Sequence, residues 1–447
     1  MNRNYSIFFF ALFTLSVSAH AQSRRIVTYA GSGGTGGFSG DGFAATGALF
    51  YGPQSVSVDT TGNVFVVDYY NARVRKIKKT GTIVTFAGTG VGGYSGDGTA
   101  STSAKVDPQG VAADKRGNVF ISNYLNDVIR KVNPLGIIST YGGTGTRGYS
   151  GDNGPATAAK FHSPSGLFTD SKNNLYVADA GNNVIRKIDT FGTVTTVAGI
   201  GTAGYSGDGG AATAAELDSP YAVTMDRYGN LFIADYKNNV VRMVDPATGF
   251  ISTFAGTGAY GYSGDGGAAA AAELNKPAGI AVDTNGNVFI SDSYNNVIRV
   301  VNSIGIISTS VGNGTPGFGG DLGDPLGANL FHPYGIAIDT TGSMFIADAN
   351  NQRIRKVYYT TLGVEDIDPN VHITAYPNPA GNIITVTNVA KNDKIVLSDI
   401  AGKVLSSTIA ADNGDQTIAT NTYAKGVYLL QVNGSNGAKK GTIEFVK

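Results

Sequence analysis

Asp-Thr-Asn-Gly-Asn-Val-Phe-Ile-Ser-Asp-Ser-Tyr-Asn-Asn-Val-Ile-Arg occupies residues 283–299, and its reading decides the fold. Asn285-Gly286 is a hairpin turn between the apolar runs 278–283 and 288–291. A third run covers 296–302, and Gly305 turns the chain into a fourth at 306–311. The unit is four short antiparallel strands, and it recurs. The Asp of Gly-Tyr-Ser-Gly-Asp-Gly returns as Asp41, Asp97, Asp152, Asp208, Asp265 and Asp321, and an Arg keeps step as Arg75, Arg130, Arg186, Arg242, Arg299 and Arg355. Radial stacking of such sheets buries each face against its neighbour, which predicts an all-β, six-bladed β-propeller. Three-strand sets begin near 55, 110, 165, 222, 279 and 335, but the last ends at Val357 with no fourth strand after it. Residues 26–30, Ile-Val-Thr-Tyr-Ala, fit the fourth-strand pattern without a blade of their own, so the N-terminal strand is expected to close the sixth blade.

Residues 283–299 resemble the NHL repeat, and all six units share the resemblance over roughly 24–360. The resemblance implies a propeller and leaves the activity open, because such propellers include protein-binding, RNA-binding and enzymatic members.

Export is expected from residues 1–21: Arg3, an apolar run at 7–17 and Ala19-His20-Ala21 have the three regions of a secretory leader. The propeller is then assigned to 22–361, a linker to 362–371 and a second domain to 372–447. No later run approaches the length of a membrane-spanning helix. Cys is absent, which excludes thiol chemistry and disulfide staples. Lys plus Arg and Asp plus Glu both number 33, so there is no basic field to hold nucleic acid.

In the second domain, Tyr376-Pro377-Asn378-Pro379 is followed by short alternating strands, by Gly426-Val427-Tyr428 and by the terminal Lys447. These elements resemble the type IX secretion system C-terminal sorting domain (Por secretion tail) of Bacteroidetes. The resemblance implies a small Ig-like β-sandwich handled by the type IX machinery, with the cargo released or held at the outer cell surface after processing.

The six loop aspartates are either turn-forming acceptors or calcium ligands, and their identical use in every unit favours structure. Beyond that possible calcium, no cofactor is expected. The arginines follow Asp68, Asn123, Asp179, Asp235, Asp292 and Asp348, which predicts buried pairs, weaker at Asn123. Phe38, Tyr94, Tyr149, Tyr205, Tyr262 and Phe318, three residues before the loop aspartates, are read as core pins. The candidate ligand surface comes from positions that vary between units. Tyr70, Tyr124, Tyr236 and Tyr294 lie in the turns between second and third strands, Tyr221 and Tyr334 follow the prolines before the first strands, and His162 and His332 lie just before those prolines. All are expected to ring the channel mouth, beside Gln54 and Gln109. No nucleophile elbow or phosphate loop is present, and catalytic residues are not assigned. The expected function is binding of a peptide, protein or glycan. An extracellular lyase or hydrolase with a site at the central channel and a structural module of a surface assembly are the alternatives.

Overall fold

Every blade begins at a proline, Pro53, Pro108, Pro164, Pro220, Pro277 or Pro333, the first residue of its innermost strand, where the missing N–H breaks no ladder bond. The computed structural model describes residues 22–361, 373–378, 380–399, 403–435 and 439–447. The leader, the linker and Pro379 lie outside the described residues. Two compact units separate, Arg24–Tyr359 and the tail from Thr360–Lys447.

In blade one the strands Pro53–Val58, Val64–Asp68, Arg73–Ile77 and Ile83–Ala87 pair in chain order. Blades two to five repeat that order. Blade six takes Pro333–Ile338, Met344–Asp348 and Arg353–Thr361 and then the N-terminal strand Gln22–Ala30 on its outer edge, as the strand count predicts. Second strands are buried throughout, because neighbouring blades cover both of their faces.

The innermost strands approach so closely that glycine is required. A Cβ on Gly279 would stand 2.1 Å from the Tyr334 carbonyl oxygen, and one on Gly335 would stand 2.8 Å from that of Gln54. The second contact joins blade six to blade one and closes the ring. A further set of bonds crosses five of the six junctions. The residue ending each turn between second and third strands is left-handed, and its side chain accepts the N–H that leads into the next blade: Asp127 from Ser163, Asn183 from Ser219, Asn239 from Lys276, Asn296 from His332, and Gln352 from Gly52 at 2.6 Å. Blade one has Ala72 there, with no acceptor, and the segment leading into blade two is one residue shorter.

The tail unit is a sandwich. Ala375–Tyr376, Ile383–Val389 and Gly414–Ala419 form one sheet; Val404–Ile409, Lys394–Asp399, Val427–Asn433 and Lys439–Val446 form the other. Tyr428 packs in its core against Phe445 and donates to the Ala424 carbonyl. Gly426 and Lys447 exchange backbone bonds, Asn378 accepts from the Val446 N–H, and Tyr376 stays exposed with its hydroxyl on Asp415. Among the described residues no helix is long and apolar enough to cross a membrane.

Candidate functional site

The repeated arginines are fully buried, and each is enclosed by its own blade. Arg299 reaches Asp265 at 2.6 Å and Asp292 at 3.5 Å, and donates to the carbonyls of Ser263 and Glu273. The aromatics expected as core pins are instead half-exposed lids. The Tyr262 ring lies 5.0 Å from the Arg299 guanidinium carbon, and its hydroxyl bonds Thr309, so one face of the ring covers the buried cation while its rim stays in water. Phe38, Tyr94, Tyr149, Tyr205 and Phe318 repeat the arrangement. Blade two differs: Asn123 replaces the second carboxylate, and Nη1 of Arg130 is left without a partner.

Each loop aspartate therefore faces a guanidinium of its own blade. Asp41, Asp97, Asp152, Asp208, Asp265 and Asp321 are bonded one apiece to Arg75, Arg130, Arg186, Arg242, Arg299 and Arg355. No group of three or more His, Asp or Glu side chains gathers among the described residues. Burial pushes the inner carboxyls up, to about 7 for Asp179 and Asp235 and to about 6 for Asp68, Asp292 and Asp348, while backbone, amide and guanidinium donors pull them part of the way back.

On the face bearing the turns between second and third strands, the channel mouth is plugged. The Gln109 amide donates to the Gln54 amide oxygen and to the Tyr221 hydroxyl, and Tyr221 donates to Gln54 at 3.0 Å. Tyr221 is ringed by Tyr236 at 5.3 Å and Tyr334 at 5.8 Å, and Tyr69 and Tyr124 lie within its electrostatic reach. The Tyr236 hydroxyl also interacts with those of Tyr294 and Tyr334. Tyr70 packs at a tilt on Tyr51 at 4.6 Å, and Tyr294 stacks on His332 at 4.6 Å. Seven of the eight candidate residues, all but His162, thus join one aromatic field across blades one, two, four, five and six.

The histidines occupy inequivalent positions. His332, directly before its proline, is left-handed at φ 47, stacks on Tyr294, and faces the Asn350 amide. His162, two residues before its proline, lies over Gly181 of blade three, where a Cβ would clash with the imidazole. Tyr51 occupies the same place over Tyr70 in blade one, and its position two before proline was the available signal for it.

Below the plug the channel is lined by strand backbone and aliphatic side chains. A cavity of about 230 Å³ is walled by Val56, Val111, Leu167, Val223, Ile280 and Ile336 with their strand neighbours, and its polar side chains are the hydroxyls of Ser57, Thr169 and Thr224. A general acid or base has no place in that wall.

Burial and neighbouring phenols raise Tyr221, Tyr236 and Tyr334 above the ordinary tyrosine range. An alkaline titration followed by phenolate absorbance should show these rings ionising at higher pH than a free tyrosine. Above about pH 10 the unfolded chain binds fewer protons than the folded one, so stability should fall as pH rises. Ionisation of every ring of the folded protein in the range of a free tyrosine would contradict the packing.

Residues 50–77 match the NHL repeat, 257–317 the Teneurin NHL domain, and 374–444 the secretion system C-terminal sorting domain. Fold, repeats and tail together define an NHL-repeat β-propeller protein with a C-terminal type IX sorting domain. The chain is similar to Protein SUPPRESSOR OF QUENCHING 1, chloroplastic, of Arabidopsis thaliana, at 26% identity over 68% of this chain and 30% of that protein. It thus spans under a third of that relative's length. Among solved structures, it is similar to a protein of unknown function from Bacteroides thetaiotaomicron (TM-score 0.56, 20% identity, 76% of each chain covered). It is also similar to an auxiliary nutrient binding protein from the same species (TM-score 0.54, 16% identity, 76% of this chain and 77% of that one). At these identities the structures share the fold.

Proposed function

We propose that the chain is a secreted or surface-displayed binding protein, and that the tyrosine field around the plugged channel mouth captures a peptide, protein or glycan. The carrying observation is that the field converges from five blades although none of these rings is needed to build a blade. Flat apolar rings with amide neighbours Gln54, Gln109 and Asn350 supply both contact area and hydrogen bonds. The similarity to a nutrient binding protein agrees with this reading. The channel wall below the plug carries no acidic, basic or imidazole side chain, which favours binding over catalysis.

The test is a glycan and peptide array on the mature chain, repeated with Tyr70, Tyr124, Tyr236 and Tyr334 changed to Ala. Capture of the array-identified ligand should fall by at least roughly thirtyfold, since each of the four aromatic contacts contributes about 0.5–1.5 kcal/mol. A small drop in melting temperature is expected, because Tyr236 and Tyr334 pack on Tyr221. Unchanged affinity in the quadruple variant would move the site elsewhere.

Export rests on the tail. A chain ending at Thr361 should fold as a propeller and remain in the periplasm of a type IX-competent host, while the full chain becomes accessible to protease added outside the cell. Surface exposure of the truncated chain would remove the sorting role.

A further inference from the structure

The opposite face of the propeller, where first and second strands are joined, carries a hollow of about 560 Å³ between blades three and four. Phe168, Tyr176, Lys172, Lys187, Arg227 and Tyr228 dominate its lining. Blade three departs here from its sisters. In blades one, two and six, a fourth-strand aromatic (Phe86, Tyr141 or Tyr29) meets a second-strand one (Phe65, Phe120 or Phe345) at 4.8–4.9 Å. The third-strand lysine, Lys76, Lys131 or Lys356, then caps one of the rings at 5.2–5.5 Å. Blade three has Val197 in place of the fourth-strand ring. Tyr176 therefore lacks that partner, and the Lys187 ammonium has no ring, ion-pair or hydrogen-bond partner among the described residues.

The charge balance points to one ligand sign. Asp170 accepts from the N–H groups of Lys172 and Asn174 and from the Asn174 amide, and Asp226 likewise from Tyr228 and Asn230; these two carboxylates stand against the three cations Lys172, Lys187 and Arg227, which leaves one positive charge in excess. Lys172 joins Lys187 in lacking a carboxylate partner among the described residues. Arg227 donates to the Thr284 carbonyl and the Tyr228 hydroxyl and lies 4.7 Å from the Tyr228 ring, still exposed. Three cations, two carboxylates held in their own turns and the exposed Tyr228 ring thus surround a hollow of small-ligand size that carries one excess positive charge.

We propose that this groove is a second binding site, separate from the tyrosine field, that takes an anionic saccharide. Its carboxylate or sulfate is held by Lys172, Lys187 and Arg227, and its sugar ring lies against the exposed ring of Tyr228.

Calorimetric titration of the full chain with trigalacturonate, a sulfated galactose trimer and neutral galactotriose tests this. One or both acidic trimers should bind saturably, more weakly as salt rises, while the neutral trimer does not. The stronger of the two arms identifies carboxylate or sulfate as the preferred group. Lys187→Met and Lys172→Ser should each weaken binding roughly tenfold, as loss of a charge-assisted hydrogen bond requires, with the melting temperature unchanged. Lys394→Ser, in the tail unit, should leave binding unaltered. Equal binding of the neutral trimer, no binding of either acidic one, or full affinity in Lys187→Met would overturn the proposal.

Discussion

Deleting residues 24–30 should unfold the propeller at temperatures where the full chain remains folded. Ile26 and Ala30 are completely buried, and they belong to different cores. Ile26 packs with Leu330, Ile346 and Val357, whereas Ala30 packs with Phe50, Phe345 and Ile354. One short strand therefore supports both junctions of blade six. It also bonds the preceding loop: Ile26 exchanges backbone bonds with Leu322 and Gly323, and Thr28 donates to Asp321 at 2.7 Å. Truncating Ile26 alone to Ala should cost about 2–5 kcal/mol. Removing the whole strand adds the ladder bonds and leaves the edge of Arg353–Thr361 unpaired. The sum is comparable with the net stability of a typical domain, about 5–15 kcal/mol. Thermal melts by circular dichroism would decide it. A cooperative transition at the parental temperature in the deletion variant would mean that the ring does not depend on this strand.

That closure was legible because the offset between three-strand sets and fourth strands can be counted along the chain. The pairing of the arginines with the inner aspartates was legible for a similar reason, since five copies of one contact leave five copies of one spacing, whereas the shorter bond from each arginine to its loop aspartate was not read. What escaped were contacts made across the ring. Gln352 bonds Gly52, and Gln109 bonds Tyr221, over separations of 300 and 112 residues that leave no local pattern. The lids were misread for a different reason. An aromatic at a fixed position looks apolar by type, and only the buried guanidinium beneath Tyr262 shows why half of the ring stays in water. At the mouth, the tyrosines stood out as variable turn residues, yet the one-residue offset between His162 and His332 places them in different surroundings. The tail was legible as a sandwich, since its strands alternate and one face carries Ile384, Val386, Leu430 and Val432 into the core.

Replacing Arg299 by Met should cost about 3–5 kcal/mol, because it strands Asp292 in a fully buried site. Asp265 can rehydrate, since its side chain is 44% exposed, but Asp292 cannot. The loss should depend on pH in a defined direction. In the parent, burial already raises the Asp292 carboxyl to about 6, against an unfolded value of about 4. Removing the guanidinium deletes an interaction that lowers it, so the folded value climbs further. Between pH 6 and that new value the folded variant holds a proton that its unfolded chain has released, and stability falls as pH rises. The parent is nearly flat in the same window with respect to this group. The gap in melting temperature between variant and parent should therefore widen from pH 5 to pH 8. Arg130→Met is the internal control. Blade two has Asn123 in place of the inner aspartate, so no buried carboxylate is stranded and the penalty should be smaller and insensitive to pH. Equal, pH-independent losses in the two variants would show that these arginines stabilise the blades through packing alone.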